Sequence, residues 1–335
     1  MTVTLYSSLT RASDLQTEAY EIEELPQDKW ASGDFIIGRI TGPQNRPLQV
    51  ELASGRMVQA LKGDHVVGAF GNRAATLEAV GSWEDISGHA MHAMTSAGLF
   101  GVVTSLSSMI PPLTNLDYVG HAVRDGRKIV MSDFRLSDDG TFDVPTVLLL
   151  GTSMSAGKTT TGRLVVHELE RKGLNVVGAK LTGAGRYRDI LSFRDAGASA
   201  VFDFVDAGLP STVVPEAEFR RTVRPLLHHI GALQPDVAVI EAGASPLEPY
   251  NGTAAIEEIG ENNIRCKILC ASDPYAVVGV EKAFGLRPDL VTGPATSTSA
   301  AIDLVSKLAG VEALNVMDPE CLPALRAVLT KTLGL

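Results

Sequence analysis

The stretch Val147-Leu148-Leu149-Leu150-Gly151-Thr152-Ser153-Met154-Ser155-Ala156-Gly157-Lys158-Thr159-Thr160 constrains this chain more than any other. A continuous apolar run, a turn of small residues and the start of a helical pattern describe a buried strand that enters a helix through a tight loop. In that geometry successive backbone N–H groups converge on one point, and the helix N-terminus adds partial positive charge, so an anion is stabilised there. Lys158 is placed to reach the β- and γ-phosphates of a nucleoside triphosphate, and the Thr159 hydroxyl to ligate Mg²⁺. Gly151, Thr152, Ser153, Met154, Ser155, Ala156, Gly157, Lys158, Thr159 and Thr160 are therefore the expected phosphate contacts. The usual spacing has glycine six positions before the lysine. Here Thr152 occupies that position and Gly151 comes one earlier.

A loop of this kind belongs on an α/β sheet, and the sequence from Val144 onward has that alternation. Thr146–Leu150 reads as a strand, about 158–172 as a helix, and Asn175–Lys180 as the next strand. Asp236–Glu241, Cys266–Ala271, Asp289–Thr292 and Ala313–Val316 read as further strands. Continuous apolar strands joined by helices predict a parallel sheet with helices on both faces, in a P-loop domain spanning 144–335. Residues 1–140 predict a smaller, mostly-β domain. Phe35–Ile40, Leu48–Leu52, Met57–Leu61 and His65–Phe70 are short β-rich runs, separated by turn signals at Gly42-Pro43, Ser54-Gly55 and Lys62-Gly63-Asp64. Their spacing points to a barrel or sandwich. The region 74–107 is poorer in β signals, and Ala90–Met94 reads as a helix. A hairpin is expected over 120–131, followed by the polar linker Ser137–Gly140.

Composition excludes several classes. The 335 residues carry 29 Lys and Arg against 39 Asp and Glu, a net charge of -10 with no basic block, which argues against nucleic acid as a partner. No apolar run approaches the roughly 20 residues that span a bilayer. An N-terminus bearing Asp14, Glu18, Glu21, Glu23 and Glu24 is not a basic targeting segment, so a cytoplasmic location is expected. Cys266, Cys270 and Cys321 are too few for a disulfide framework, and the first two read as small buried residues sharing one strand face. His89 and His92 have the i, i+3 spacing that shares a metal on a helix, but no third ligand accompanies them, and packed or surface histidines are the favoured reading.

The displaced first glycine leads to a resemblance. Gly-Thr-x-x-x-x-Gly-Lys-Thr, Gly151 to Thr159, resembles the phosphate loop of dethiobiotin synthetase. It is also similar to that of a bacterial P-loop family that includes a D-glutamate N-acetyltransferase. Gly178-Ala179-Lys180-Leu181-Thr182-Gly183 resembles the Lys-Pro-x-x-x-Gly element of dethiobiotin synthetase, with Leu181 in place of proline. The resemblance implies that Lys180 neutralises phosphate or carboxylate charge. Glu241-Ala242-Gly243-Ala244-Ser245-Pro246-Leu247 resembles the Glu-Gly-x-Gly-x-Leu element of both families. A carboxylate at that strand end lies beside the phosphate crevice, which makes Glu241 a Mg²⁺ ligand, direct or through water. Glu248-Pro249-Tyr250-Asn251-Gly252 is similar to His-Pro-x-Tyr-Ser-Gly of the acetyltransferase-containing family, with Glu248 in place of histidine. Asp203-Phe204-Val205-Asp206-Ala207-Gly208 resembles that family's second acidic element, so Asp203 is a further candidate metal ligand. Asp195 competes with it, and a helix-capping role is open to either.

Arg186 and Arg188 are candidates for an anionic substrate. Gly293-Pro294-Ala295-Thr296-Ser297-Thr298 either lies near a nucleotide base or caps the helix that starts near Ser299. The resemblance implies an ATP- and Mg²⁺-dependent ligase or kinase, with Lys158, Lys180 and Glu241 catalytic, acting on a carboxylate-type, anionic small molecule. Two alternatives stay open: an N-acyltransferase whose loop holds coenzyme A, and a regulatory nucleotide switch. GTP is not distinguished from ATP. A homodimer is the expected assembly, and the first domain carries no catalytic motif.

Overall fold

In the computed structural model, residues 3–42, 48–243 and 245–335 are described. Pro43 of the expected Gly42-Pro43 turn and Ala244 of the Glu241–Leu247 element lie outside them. The chain divides into two compact units. One comprises Met1–Ser137, Gly183–Arg188 and Phe204–Thr222; the other comprises Asp138–Thr182, Asp189–Asp203 and Val223–Leu335.

The first unit is built on strands β1 (Thr4–Tyr6), β2 (Glu21–Glu23), β3 (Phe35–Gly42), β4 (Leu48–Glu51), β5 (Met57–Ala60), β6 (His65–Phe70), β7 (Asn72–Ala75), β8 (Ala79–Ser82), β9 (Ala90–Ala93), β10 (Leu99–Leu106), β11 (Thr114–Arg124) and β12 (Arg127–Lys128). Strand β6 pairs with β3, β3 with β11, β11 with β9, β9 with β10, and β10 returns to β6, so five strands close into a barrel. Alternation along the strands fills its interior with Ile36, Ile40, Val66, Phe70, Met91, Phe100, Leu116 and Tyr118. Gly68 faces the same interior. A Cβ there would lie 2.2 Å from the Gly98 carbonyl and 2.6 Å from the Phe100 ring, so only glycine lets that ring cross. Buried Asp34 accepts from Lys128 Nζ at 2.6 Å and from the Ala31 N–H at 2.8 Å, and lies 3.2 Å from His121 Nε2. His121 Nδ1 is 2.6 Å from the Tyr118 hydroxyl. This buried charge is thereby paired rather than stranded. Glu51, also buried, accepts from the N–H groups of Tyr187 and Arg188 at 2.8 and 3.1 Å, where a carboxylate complements the start of a helix.

Several expectations are corrected here. Ala90–Met94 is not helical, because Ala90–Ala93 is strand β9 of the barrel. His89 and His92 therefore do not share a helix face. His92 Nδ1 accepts from the Val103 N–H at 3.2 Å, while His89 lies against Glu24 at 3.3 Å. Residues 74–107 hold all of β8, β9 and β10. Gly81 and Gly101 dilute the β signal, yet each sits where a Cβ would strike the partner strand at 2.5 and 2.7 Å. The hairpin forms between β11 and β12, but its second arm ends at Lys128, and Met131–Phe134 is a 3₁₀ turn.

The second unit is α/β: β13 (Thr146–Gly151), α1 (Lys158–Glu170), β14 (Val176–Thr182), α2 (Tyr187–Asp195), β15 (Ala200–Asp203), α3 (Glu216–Ala232), β16 (Val237–Ala242), α4 (Gly252–Ile259), β17 (Ile264–Cys270), α5 (Pro274–Phe284), β18 (Leu290–Thr292), α6 (Ser299–Ala309) and α7 (Leu322–Leu333), with α2 and α3 starting in segments of the first unit. The six strands are parallel, in the order β15-β14-β16-β13-β17-β18. Ala313–Val316 is reduced to one parallel bridge between Val291 and Ala313. Cys266 and Cys270 share a face of β17 and are fully buried, and burial pushes both thiols up to about 11. Among the described residues no helix is long and apolar enough to cross a membrane.

Phe193 of α2 is wedged against two glycines. A Cβ on Gly162 of α1 would lie 2.6 Å from its ring, and one on Gly178 of β14 2.7 Å. Gly178→Ala is expected to cost about 1–3 kcal/mol through overpacking and Phe193→Ala about 3–5 kcal/mol. Both are measured as shifts of the urea midpoint at unchanged slope. The double variant should cost less than the sum, because the two changes meet in one contact.

Candidate functional site

Strand β13 is buried along its whole length and lies between β16 and β17, at the point where the sheet's connections change direction. Ligand crevices in open α/β sheets form at the carboxyl ends of strands there. The chain leaves at Gly151, turns through 152–156 and enters α1 through Gly157, whose φ of 94° is a left-handed conformation that favours glycine. No side chain caps α1, and its first turn has no acidic residue, so the helix N-terminus keeps its affinity for an anion. Thr152, standing where the usual motif has glycine, uses its side chain. Its hydroxyl accepts from the Ser272 N–H at 2.9 Å and lies 3.2 Å from Ser272 Oγ. The substitution thus ties the loop to the segment following β17. Gly293 supports the same loop from β18, where a Cβ would strike the Ala156 carbonyl at 2.5 Å.

Lys158 is buried, and its ammonium donates to the Ser153 carbonyl at 2.7 Å. Desolvation pushes its pKa below the usual lysine range, with Glu241 opposing but not overcoming that effect. The Thr159 hydroxyl donates to Glu241 Oε2 at 2.9 Å. Glu241 stands near the end of β16, beside Lys180 of β14, which in turn is in register with Asp203 of β15. Strand pairing thus sets acid, lysine and acid in one row across three strands. Lys180 Nζ is 2.5 Å from Asp189 Oδ2 and 3.8 Å from Glu241 Oε1. Burial is the largest single influence on Lys180 and would lower its pKa. Asp189, Glu241 and Asp203 together outweigh it and hold the amine above the usual range, so it stays charged.

The structure therefore brings together Lys158, Thr159, Lys180 and Glu241. Asp203 stands on the far side of β14 from Glu241, next to Lys180. Asp195 is exposed at the end of α2, and Arg186 and Arg188 are exposed in the segment belonging to the first unit. Glu248 is buried and accepts from the Ser245 N–H at 2.6 Å. Asp189 is missing from the sequence reading. It lies nine residues beyond Lys180 and reaches it only because β14 and α2 fold against each other.

Hydroxyl and carboxylate oxygens 2.9 Å apart at Thr159 and Glu241 are the hard donors that Mg²⁺ takes. Among the described residues no group of three or more His, Cys, Asp or Glu forms a metal cage. A cavity of about 420 Å³ opens beside the first turn of α1, lined by Gly157, Thr160, Thr292, Pro294, Asn315 and Met317 among others. It is of small-molecule size. Pro294–Thr296 forms a 3₁₀ turn, and the Thr298 hydroxyl accepts from the Ala301 N–H to cap α6, so this loop both lines the cavity and starts the helix.

No protein-family model matches the chain, and no curated protein matches it in sequence. Its similarities among solved structures are distant. Chloroplast FtsY from Physcomitrella patens is 13% identical over 55% of this chain and 63% of its own, with a TM-score of 0.37. Signal recognition particle 54 kDa protein from Aeropyrum pernix K1, in complex with GDP, is 16% identical over 59% and 48%, with a TM-score of 0.36. A ParA family ATPase from Chlorobium tepidum TLS is 15% identical over 56% and 92%, with a TM-score of 0.33. The chain thus spans less than two thirds of the first two.

The buried amine of Lys158 yields a test. A lysine whose folded-state pKa is depressed binds fewer protons than the unfolded chain between the two values. Its cost is therefore full below the folded pKa and fades as pH rises toward the ordinary lysine value. Lys158→Met is expected to stabilise the ligand-free protein by about 1–2 kcal/mol at pH 7, at the low end for replacing a buried charge by an apolar group. In urea denaturation the gain should shrink toward pH 10.

Proposed function

We propose that the chain is an ATP- and Mg²⁺-dependent enzyme that phosphorylates or activates a carboxylate-type small molecule. The observation that carries this reading is the cluster of Thr159, Glu241 and Lys180 beside the uncapped N-terminus of α1. The sequence resemblance to dethiobiotin synthetase at Gly151–Thr159, Lys180 and Glu241 supports the carboxylate as acceptor.

Bound MgATP supplies an activated phosphoryl group, and the rest of the task is positioning and charge neutralisation. The N–H groups of 153–160 orient the phosphates, and Lys158 exchanges the Ser153 carbonyl for phosphate oxygen. Thr159 and Glu241 hold the metal. Lys180, kept protonated by Asp189 and Asp203, faces the negative charge that two anionic reactants bring together. Pro294, Asn315 and Met317 line the cavity assigned to the base, and Asn315, whose Oδ1 accepts from the Met317 N–H at 3.2 Å, keeps its amide N–H groups to read the base edge.

Calorimetry should give ATP binding that Lys158→Ala weakens at least about tenfold, or about 1.4 kcal/mol. Asn315→Ala should weaken ATP but not inorganic triphosphate, because only the former carries a base. Candidate carboxylates should release ADP in proportion to product. The reading fails if neither ATP nor GTP binds, or if Lys158→Ala binds as the native chain does. Turnover with acetyl-CoA and no ADP would replace it by acyl transfer.

A further inference from the structure

The first unit contains a small polar cavity of about 200 Å³, lined by Arg135, Arg221, Glu218, Ser32, Ser132 and Gly208 among others. The cavity walls come from the 3₁₀ turn at Met131–Phe134, the segment 207–210 and the first turns of α3. Gly208, with φ of 87°, brings its backbone against that turn. A Cβ there would lie 3.0 Å from Ser132 Cα and 3.3 Å from Arg135 Cβ, so glycine sets the approach of the walls.

The nearby acids are already engaged. Asp206 is paired with Arg11 at 2.8 Å, Glu216 with Arg220 at 2.8 Å, and Asp133 accepts from the Val130 N–H at 3.2 Å. The Thr222 hydroxyl is spent on the Glu218 carbonyl at 2.8 Å. Among the described residues neither Arg135 nor Arg221 makes an ion pair, although Glu218 lines the same cavity. The side chains facing the space therefore leave it with one net positive charge. Two guanidinium groups supply forked donors that match oxyanion geometry, and Ser32 and Ser132 add neutral ones.

We propose that this cavity is a binding site for a small oxyanion, a carboxylate or phosphate group gripped by Arg135 and Arg221. Glu218 accepts from a donor on the same molecule and disfavours ligands of higher negative charge. None of the residues lining this cavity belongs to the phosphate loop.

The test is calorimetry on the full chain carrying Lys158→Ala, so that the phosphate loop does not compete, with inorganic phosphate and malonate as separate probes. At least one probe should bind at a single site. Adding Arg135→Gln and Arg221→Gln should weaken it at least about tenfold, and both arginines are exposed, so the fold is expected to persist. Glu218→Gln should strengthen binding severalfold by removing the like charge. Binding of phosphate assigns a phosphate group, and binding of malonate alone a carboxylate. Failure of both probes to bind at millimolar concentration, or binding indifferent to the two arginine substitutions, would overturn the proposal.

Discussion

Two lysines are taken out of water at the carboxyl edge of the parallel sheet, and the unit is arranged around the difference between them. Lys180 is over-compensated, because Asp189, Glu241 and Asp203 surround it, and these carboxylates outweigh its desolvation. Lys158 is under-compensated. Its listener is one backbone carbonyl, and the field of Glu241 does not restore what burial removes. A buried cation short of negative charge is unfavourable in isolation and becomes favourable when a phosphate supplies that charge. Stability of the ligand-free chain and affinity for an anion are therefore set against each other at a single side chain.

The same edge shows why the row at β14, β15 and β16 is chemically coherent. In a parallel sheet, residues in register on adjacent strands point to the same face, so Asp203, Lys180 and Glu241 are neighbours by pairing alone. Glu241 is shared between the Thr159 hydroxyl and the Lys180 amine. Were Glu241 engaged by a cation, as the proposed function has it, Asp189 and Asp203 would remain to hold Lys180 charged. The two other carboxylates thus make the charge of Lys180 independent of what Glu241 binds.

What the sequence made legible follows from how local each determinant is. The strand, loop and helix around Lys158 are contiguous, so composition and period suffice to read them. Glu241 and Lys180 stand at strand ends, where an apolar run stops at a charge. Asp189 has no such mark, since its role depends on the crossing of α2 over β14. In the first unit the β-rich runs of β3 and β6 are legible, whereas β8 to β10 are obscured by Gly81 and Gly101, which close approach between strands requires. Ala90–Ala93 was misleading for a related reason: alanine and methionine favour helices, and only burial of Met91 in the barrel decides for a strand. His89 and His92 then part company, because a spacing that meets on a helix separates on a strand.

Thr152 turns on the same distinction between local pattern and tertiary use. At the first glycine of a phosphate loop a side chain is tolerable only if the backbone there does not need the freedom that glycine gives. Among the loop's glycines it is Gly157 that carries the positive φ, so position 152 is open to a side chain. Threonine then contributes more than tolerance, since its hydroxyl fastens the loop to Ser272 and, through that residue, to the carboxyl end of β17. With β17 on one side and Gly293 of the β18 connection packed on Ala156, the loop is held from two neighbouring strands. Preorganised N–H groups need no reorganisation when the anion arrives, which is the condition under which they stabilise it most.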